Sequence, residues 1–134
     1  MLFAVELLNG HIYIHLDLGS GAAKVRASRR RVDDGDWHDL ILRRNGRDAK
    51  VSVDGVWNDC RTPGDGTILE LDGHMYVGGT GPAYNGNTWP AAIWTATLRQ
   101  GFVGCLRDLV LSGKAIDIAA FARLQDSGIN LKHM

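Results

Sequence analysis

The chain has 134 residues, enough for one domain with a sizeable core. Apolar residues make up 45% and charged residues 22%, ordinary values for a globular protein, which excludes a disordered chain. Fifteen basic and fifteen acidic residues cancel, leaving no global field to draw in nucleic acid or a membrane surface, and no stretch reaches the ~20 apolar residues of a membrane span.

Met1-Leu2-Phe3-Ala4-Val5-Glu6 lacks a basic stretch and meets a carboxylate too early for a signal peptide. Seventeen glycines punctuate short apolar runs, the spacing that many β-turns require. Residues 3–8 alternate weakly and end at Asn9-Gly10, a hairpin signal, because both central positions of a type I′ turn need positive φ. Residues 11–17 alternate cleanly, with Ile12, Ile14 and Leu16 on one face and His11, Tyr13, His15 and Asp17 on the other: a half-buried strand. Gly19-Ser20-Gly21 turns the chain, and 23–27 reads as a strand with Val25 inward and Lys24 and Arg26 outward.

Asp33-Asp34-Gly35 turns into a strand over 37–44, in which His38, Leu40 and Leu42 share a face. Trp37 and His38 are expected to pack in the core and turn, His38 as a satisfied core histidine rather than a metal ligand. Asn45-Gly46 supplies a second hairpin turn leading into Ala49, Val51 and Val53, and Asp54-Gly55 a third. Residues 58–66, with Pro63, read as loop, and 67–71, Asp72-Gly73 and 74–77 as strand, turn and strand. The irregular 78–99 segment carries Trp89 and Trp94. Residues 102–111 return to strand, broken near Gly104, and after Ser112-Gly113 the segment 117–125 reads as a short helix capped by Asp117. About nine short strands and one late helix make an all-β antiparallel sandwich.

Several stretches, in this order, resemble one family: Phe3-Ala4-Val5-Glu6, Leu16-Asp17-Leu18-Gly19-Ser20-Gly21, Asp34-Gly35-Asp36-Trp37-His38, Tyr76-Val77-Gly78-Gly79, Trp94-Thr95-Ala96 and Gly101-Phe102-Val103-Gly104-Cys105-Leu106-Arg107-Asp108-Leu109. The set is similar to the laminin G-like (LNS) domains of neurexins, above all the third such domain of the long form. That resemblance implies a jelly-roll, concanavalin-like sandwich spanning 1–134 as a single domain, incomplete at its N-terminus. It also implies an internal slice of a longer secreted chain, within the ectodomain of a single-pass cell-surface protein at synaptic and other cell–cell contacts. The family pairs the cysteine matching Cys105 with one near the domain's end, where this chain has Asn130-Leu131-Lys132-His133-Met134. Cys105 is then unpaired or bonded to Cys60.

The resemblance also implies a Ca²⁺ at one rim of the sandwich, held by the carbonyls of Leu18 and Leu71 and the side chain of Asp72. A second carboxylate belongs just ahead of the first strand, where this chain has Met1 and Leu2. A hard cation takes about 6–8 oxygens, so one charged ligand fewer weakens the site. Residues alone read Asp72 as the start of an ordinary Asp-Gly turn. A basic stretch, Lys24, Arg26, Arg29, Arg30 and Arg31, with Arg43, Arg44 and Arg47 adjacent across the sheet, suits sulfated glycans such as heparan sulfate, or is simply a solvated face. Trp89 and Trp94 would suit a protein partner or plug the sandwich end.

Enzyme readings find little. The two glutamates, Glu6 and Glu70, stand in no paired catalytic motif, although sandwich glycosidases need carboxylates roughly 5–9.5 Å apart. Ser20 lacks the flanks of a nucleophile elbow. Cys105, between hydrophobes at a strand centre, is expected to be buried and inert. The expected function is a non-catalytic extracellular binding module for protein or glycan partners. The alternatives are a lectin-like domain stacking sugars on Tyr84, Trp89 and Trp94, and a truncated fragment without independent function.

Overall fold

A computed structural model describes residues 1–71, 75–79, 93 and 101–120. The chain divides into two compact units, Met1–His74 and Met75–Met134. Every strand pair is antiparallel, so the all-β expectation holds.

The first unit holds two three-stranded meanders. Strands β1 (Leu2–Leu8), β2 (His11–Asp17) and β3 (Ala22–Arg26) form one sheet in that order, and β4 (Leu40–Asn45), β5 (Asp48–Val53) and β6 (Val56–Arg61) the other. Turn chemistry fixes both. Asn9 and Gly10 have φ of 50° and 77°, and Asp54 and Gly55 have 52° and 83°, the left-handed pair a type I′ turn demands. The β4–β5 loop is Gly46-Arg47, one residue later than Asn45-Gly46 suggests: Asn45 closes β4 opposite Asp48, and only Gly46 takes positive φ.

Period-two alternation aims one face of each sheet at the other. Ile14, Ala27, Val51 and Val53 form one buried cluster; Leu16, Leu18, Ala49 and Cys60 form a second; Phe3, Val25 and Leu42 pack against both. Each fully buried side chain such as Ile14, Leu16 or Val51 contributes about 1.5–3 kcal/mol, so this seam is what holds the two sheets face to face. Asn58 Nδ2 adds a polar stitch, donating to Ala27 O at 3.0 Å.

Four expectations need correction. Residues 58–61 are not loop but the end of β6, because the Asp54-Gly55 turn sets a register that pairs Asn58 with Val51 and Cys60 with Ala49 despite the poor strand propensity of Asn58 and Asp59. Residues 67–71 and 75–77 join no ladder. Of 102–111 only β7 (Val110–Leu111) is strand, paired with β8 (Lys114–Ala115) through Ser112-Gly113; positive φ at Gly104 and Asp108 interrupts the extended run before it. Trp37 is 53% exposed and precedes β4, so it is no core residue.

Asp117 caps as expected, its Oδ1 accepting the Ala120 N–H at 3.0 Å, and residues 118–120 are helical. The rest of 117–125 lies outside the described residues, as do Asp72 and most of 78–99 with Trp89 and Trp94.

Candidate functional site

Two exposed loops of the first unit are fastened to its sheets. The first follows β3. Ala27 N–H donates to Ile12 O and Val32 N–H to Gly10 O, both at 2.7 Å. Between them the buried Ser28 hydroxyl accepts the Ile12 N–H at 2.9 Å, and His11 Nδ1 donates to Ser28 O at 3.2 Å. These bonds pin residues 27–32 along the β1–β2 hairpin and leave Arg29 and Arg30 projecting into solvent.

Not all of the expected basic cluster is available there. Arg31 is tied to Asp33, Nε to Oδ1 at 2.9 Å and Nη2 to Oδ2, which raises the guanidinium pKa and holds the Asp33 carboxyl below its ordinary range. The pair lies over Gly10, where an added Cβ would fall 2.7 Å from Asp33 Oδ1. Arg26, Arg29 and Arg30 are exposed, and none pairs with a carboxylate among the described residues. Arg43, Arg44 and Arg47 belong to the other sheet or its turn, so they are not neighbours of Arg26 across one ladder. Arg43 lies over the Trp57 ring at 5.5 Å, Arg44 donates to Gly46 O and Thr67 O, and Arg47 to Thr62 O.

The second fastened feature is the rim where β2 ends. Leu18 is buried, and among the described residues its carbonyl accepts no hydrogen bond. Ser20 bridges to the loop after β6: its hydroxyl donates to Pro63 O at 3.0 Å and accepts the Gly66 N–H at 2.9 Å. Asp17 is spent on an Asx turn, Oδ1 accepting the Gly19 N–H at 2.8 Å. Met1 reaches the same rim: its Sδ accepts the Glu70 N–H at 3.1 Å, and its methyl lies 3.6 Å from a Cβ built on Gly19. Leu71 follows Glu70 and is exposed. The expected ligand segments Leu18–Gly19 and Glu70–Leu71 therefore meet around Met1. A carbonyl with no donor among the described residues leaves room for a cation or water; a thioether beside it does not suit a hard cation.

Sequence reading missed three arrangements. His38 is not a core histidine: it bridges two carboxylates, Nδ1 donating to Asp54 Oδ2 at 2.6 Å and Nε2 to Asp34 Oδ1 at 2.7 Å. Those bonds push its pKa up to about 9 and hold Asp54 and Asp34 below the usual carboxylate range. Glu6 and His15 are buried on the outward face of the first sheet, Nε2 to Oε1 at 2.6 Å, with Lys24 Nζ 3.7 Å from the same oxygen. Alternation had marked that face as polar, hence solvated. The Ser20 clamp left one trace, since Gly19-Ser20-Gly21 and Pro63-Gly64-Asp65-Gly66 are both dense in turn formers. Cys105, expected to be buried, is exposed, while Cys60 is buried, and both are free thiols.

The Laminin G domain family matches residues 1–114. Neurexin 1 of Drosophila melanogaster is 91% identical over 127 residues, 95% of this chain. Neurexin-3a of Danio rerio is 43% identical and Neurexin-2 of Homo sapiens 42%, each over 92% of this chain. The chain spans 7% of the length of each of these relatives. A match of this extent, on a two-sheet antiparallel body, makes the chain a member of the laminin G domain family, of the neurexin type.

Proposed function

We propose that this chain is a non-catalytic binding module in the ectodomain of a neurexin-like adhesion protein at cell–cell contacts. It acts by rigid presentation: a sandwich of two meanders holds loops that dock extracellular protein or glycan partners. The observation that carries this reading is the fastening of the arginine loop, whose backbone is bonded to the β1–β2 hairpin at both ends while Arg29 and Arg30 stay free in solvent. A preordered loop binds at less entropic cost than one that must be fixed on contact.

Arg26, Arg29 and Arg30 would contact sulfate groups of heparan sulfate through their planar donor forks, with Arg31 held back by Asp33. At the rim, Leu18, Leu71 and Asp72 would hold Ca²⁺ weakly, since Met1 supplies sulfur where an oxygen would serve. A hydrolytic reading gains no support from His38, which is protonated at neutral pH and engaged at both nitrogens, and so is no general base.

Heparin-affinity chromatography tests the glycan arm. The wild-type chain is expected to elute later than an Arg29→Ala/Arg30→Ala variant, with retention falling steeply as salt rises. Equal elution of the two disproves the assignment. For the metal arm, calorimetric titration with Ca²⁺ should show binding that Asp72→Ala removes.

A further inference from the structure

We propose that Asn45 is a site of spontaneous deamidation, and that the fold protects the same Asn-Gly pair at Asn9-Gly10. The site is independent of the glycan and metal readings above. The reaction needs no enzyme. The Gly46 amide nitrogen, on losing its proton to hydroxide, bonds to Asn45 Cγ and expels the side-chain nitrogen as ammonia, closing a succinimide. Water then opens the ring at either carbonyl, leaving an aspartate or an isoaspartate, whose main chain is longer by a methylene. Either product carries a new carboxylate in the turn that holds Arg44 and Arg47.

Glycine after asparagine favours the ring because no side chain shields the attacking nitrogen, so the sequence marks Asn9, Asn45 and Asn85 equally. Asn85-Gly86 lies outside the described residues. The structure separates the other two. Asn9 stands in the left-handed region at φ 50°, where the next amide nitrogen is turned away from the side chain, so closing the ring must undo the turn. Gly10 is buried, and its carbonyl accepts the Val32 N–H at 2.7 Å. The Arg31–Asp33 pair covers it, with atoms 2.7 and 2.8 Å from an added Cβ. Asn45 instead ends strand β4, exposed and extended, with its following nitrogen nearer the side chain. Gly46 lies beyond the last ladder pair, Asn45 with Asp48, and among the described residues its N–H donates no backbone bond. An added Cβ at Gly46 would meet Thr67 alone, at 3.9 Å. Its carbonyl is held at 2.8 Å by the exposed Arg44 side chain, a partner that can follow the peptide as it swings.

The test is incubation of the full chain at mildly alkaline pH, native and in guanidinium chloride, followed by digestion after lysine. Cleavage at Lys24 and Lys50 puts Asn9 and Asn45 on separate peptides, each the sole asparagine of its peptide. Mass spectrometry then follows the change from amide to acid in each. Native Asn45 is expected to convert roughly tenfold faster than native Asn9, the ratio set by breaking one backbone hydrogen bond, about 1.4 kcal/mol. In the denaturant, where no fold shields either site, the two rates should converge, and isoaspartate should outweigh aspartate at Asn45 in both conditions. Equal native rates overturn the proposal, as does a native Asn45 that stays unconverted while the denatured one reacts. A ratio that survives unfolding would be a property of the local sequence and overturns the protection of Asn9. Aspartate as the sole product would mean direct hydrolysis, without attack by the Gly46 nitrogen, and overturns the route.

Discussion

His38 Nδ1 donates to Asp54 Oδ2 at 2.6 Å, and that bond ties the segment leading into β4 to the first residue of the β5–β6 turn. Asp54 Oδ1 also accepts the Asp39 N–H at 2.8 Å, while Asp54 N–H donates to Asp39 O at 2.9 Å. On the far side of the ring Asp34 Oδ1 takes the second imidazole proton and the Asp36 N–H. The Asp-Gly-Asp-Trp-His string is thus a clasp, and its strength depends on pH.

Because folding raises the His38 pKa from 6.5 to about 9, its stabilisation is complete below the unfolded value and is lost as pH rises through about 9. The carboxylates set the acid limit. Both are depressed in the fold, so their contribution is present above the ordinary aspartate range of about 3.9 and lost as pH falls below it. His38→Ala should lower Tm by roughly 2–5 °C near pH 6, with the gap to wild type closing near pH 10. Thermal scans across that range check it, and a gap that ignores pH would mean the charged imidazole is not what holds the clasp.

The buried Glu6–His15 pair makes a different claim. Removing one member takes a short bond from the other inside a desolvated place, at a cost of about 1–3 kcal/mol, whereas replacing both with apolar residues costs less. Urea unfolding of Glu6→Leu, His15→Leu and the double variant should show strong coupling, the double being more stable than Glu6→Leu alone. Additive losses would show that the two side chains act separately.

These two pairs mark the boundary of what the sequence made legible. Asn9-Gly10 and Asp54-Gly55 were readable because positive φ at both central residues restricts the choice of side chain severely, and the β2 face followed from alternation of Ile12, Ile14 and Leu16. Alternation says which side a residue faces, not whether that side meets water, so it does not reveal that Glu6 and His15 are buried. His38 shares its side with Leu40 and Leu42 only if β4 starts before Leu40, and it does not. The Ser20 clamp joins residues distant in the chain, a relation fixed by tertiary packing that no local spacing encodes.

Within the basic loop, the arginines should differ. Arg31 is engaged by Asp33, so Arg31→Ala should cost less heparin retention than Arg30→Ala, and Asp33→Ala should increase retention by releasing a guanidinium. Each arginine–sulfate pair removed or added should change the log–log salt slope by roughly 0.7–0.9, the counterion-release scale measured on nucleic acids. Retention that tracks net charge alone, with Arg30→Ala and Arg31→Ala alike, would argue against a shaped site.

The two thiols should react at very different rates. Burial pushes the Cys60 thiol up, lowering its thiolate fraction as well as blocking access, while Cys105 is open to solvent. Alkylation of the native chain followed by peptide mapping should label Cys105 first and Cys60 only after denaturation. Equal labelling under native conditions would show that the seam around Leu16, Leu18 and Ala49 opens readily.

Met1 offers the sharpest handle on the rim. Its sulfur accepts the Glu70 N–H and its methyl abuts Gly19, so this side chain touches both expected ligand segments. Sulfur is a poor donor for Ca²⁺, which selects oxygen and, above all, carboxylate. Met1→Asp should tighten Ca²⁺ binding about tenfold, or about 1.4 kcal/mol. Met1→Asn, which brings the oxygen without the charge, should fall between the two. The order Asp, Asn, Met in calorimetric affinity would put the ion within reach of this side chain, because neither charge at a distance nor a change in loop packing grades with ligand chemistry in that way. Equal affinities in all three would place any bound ion elsewhere.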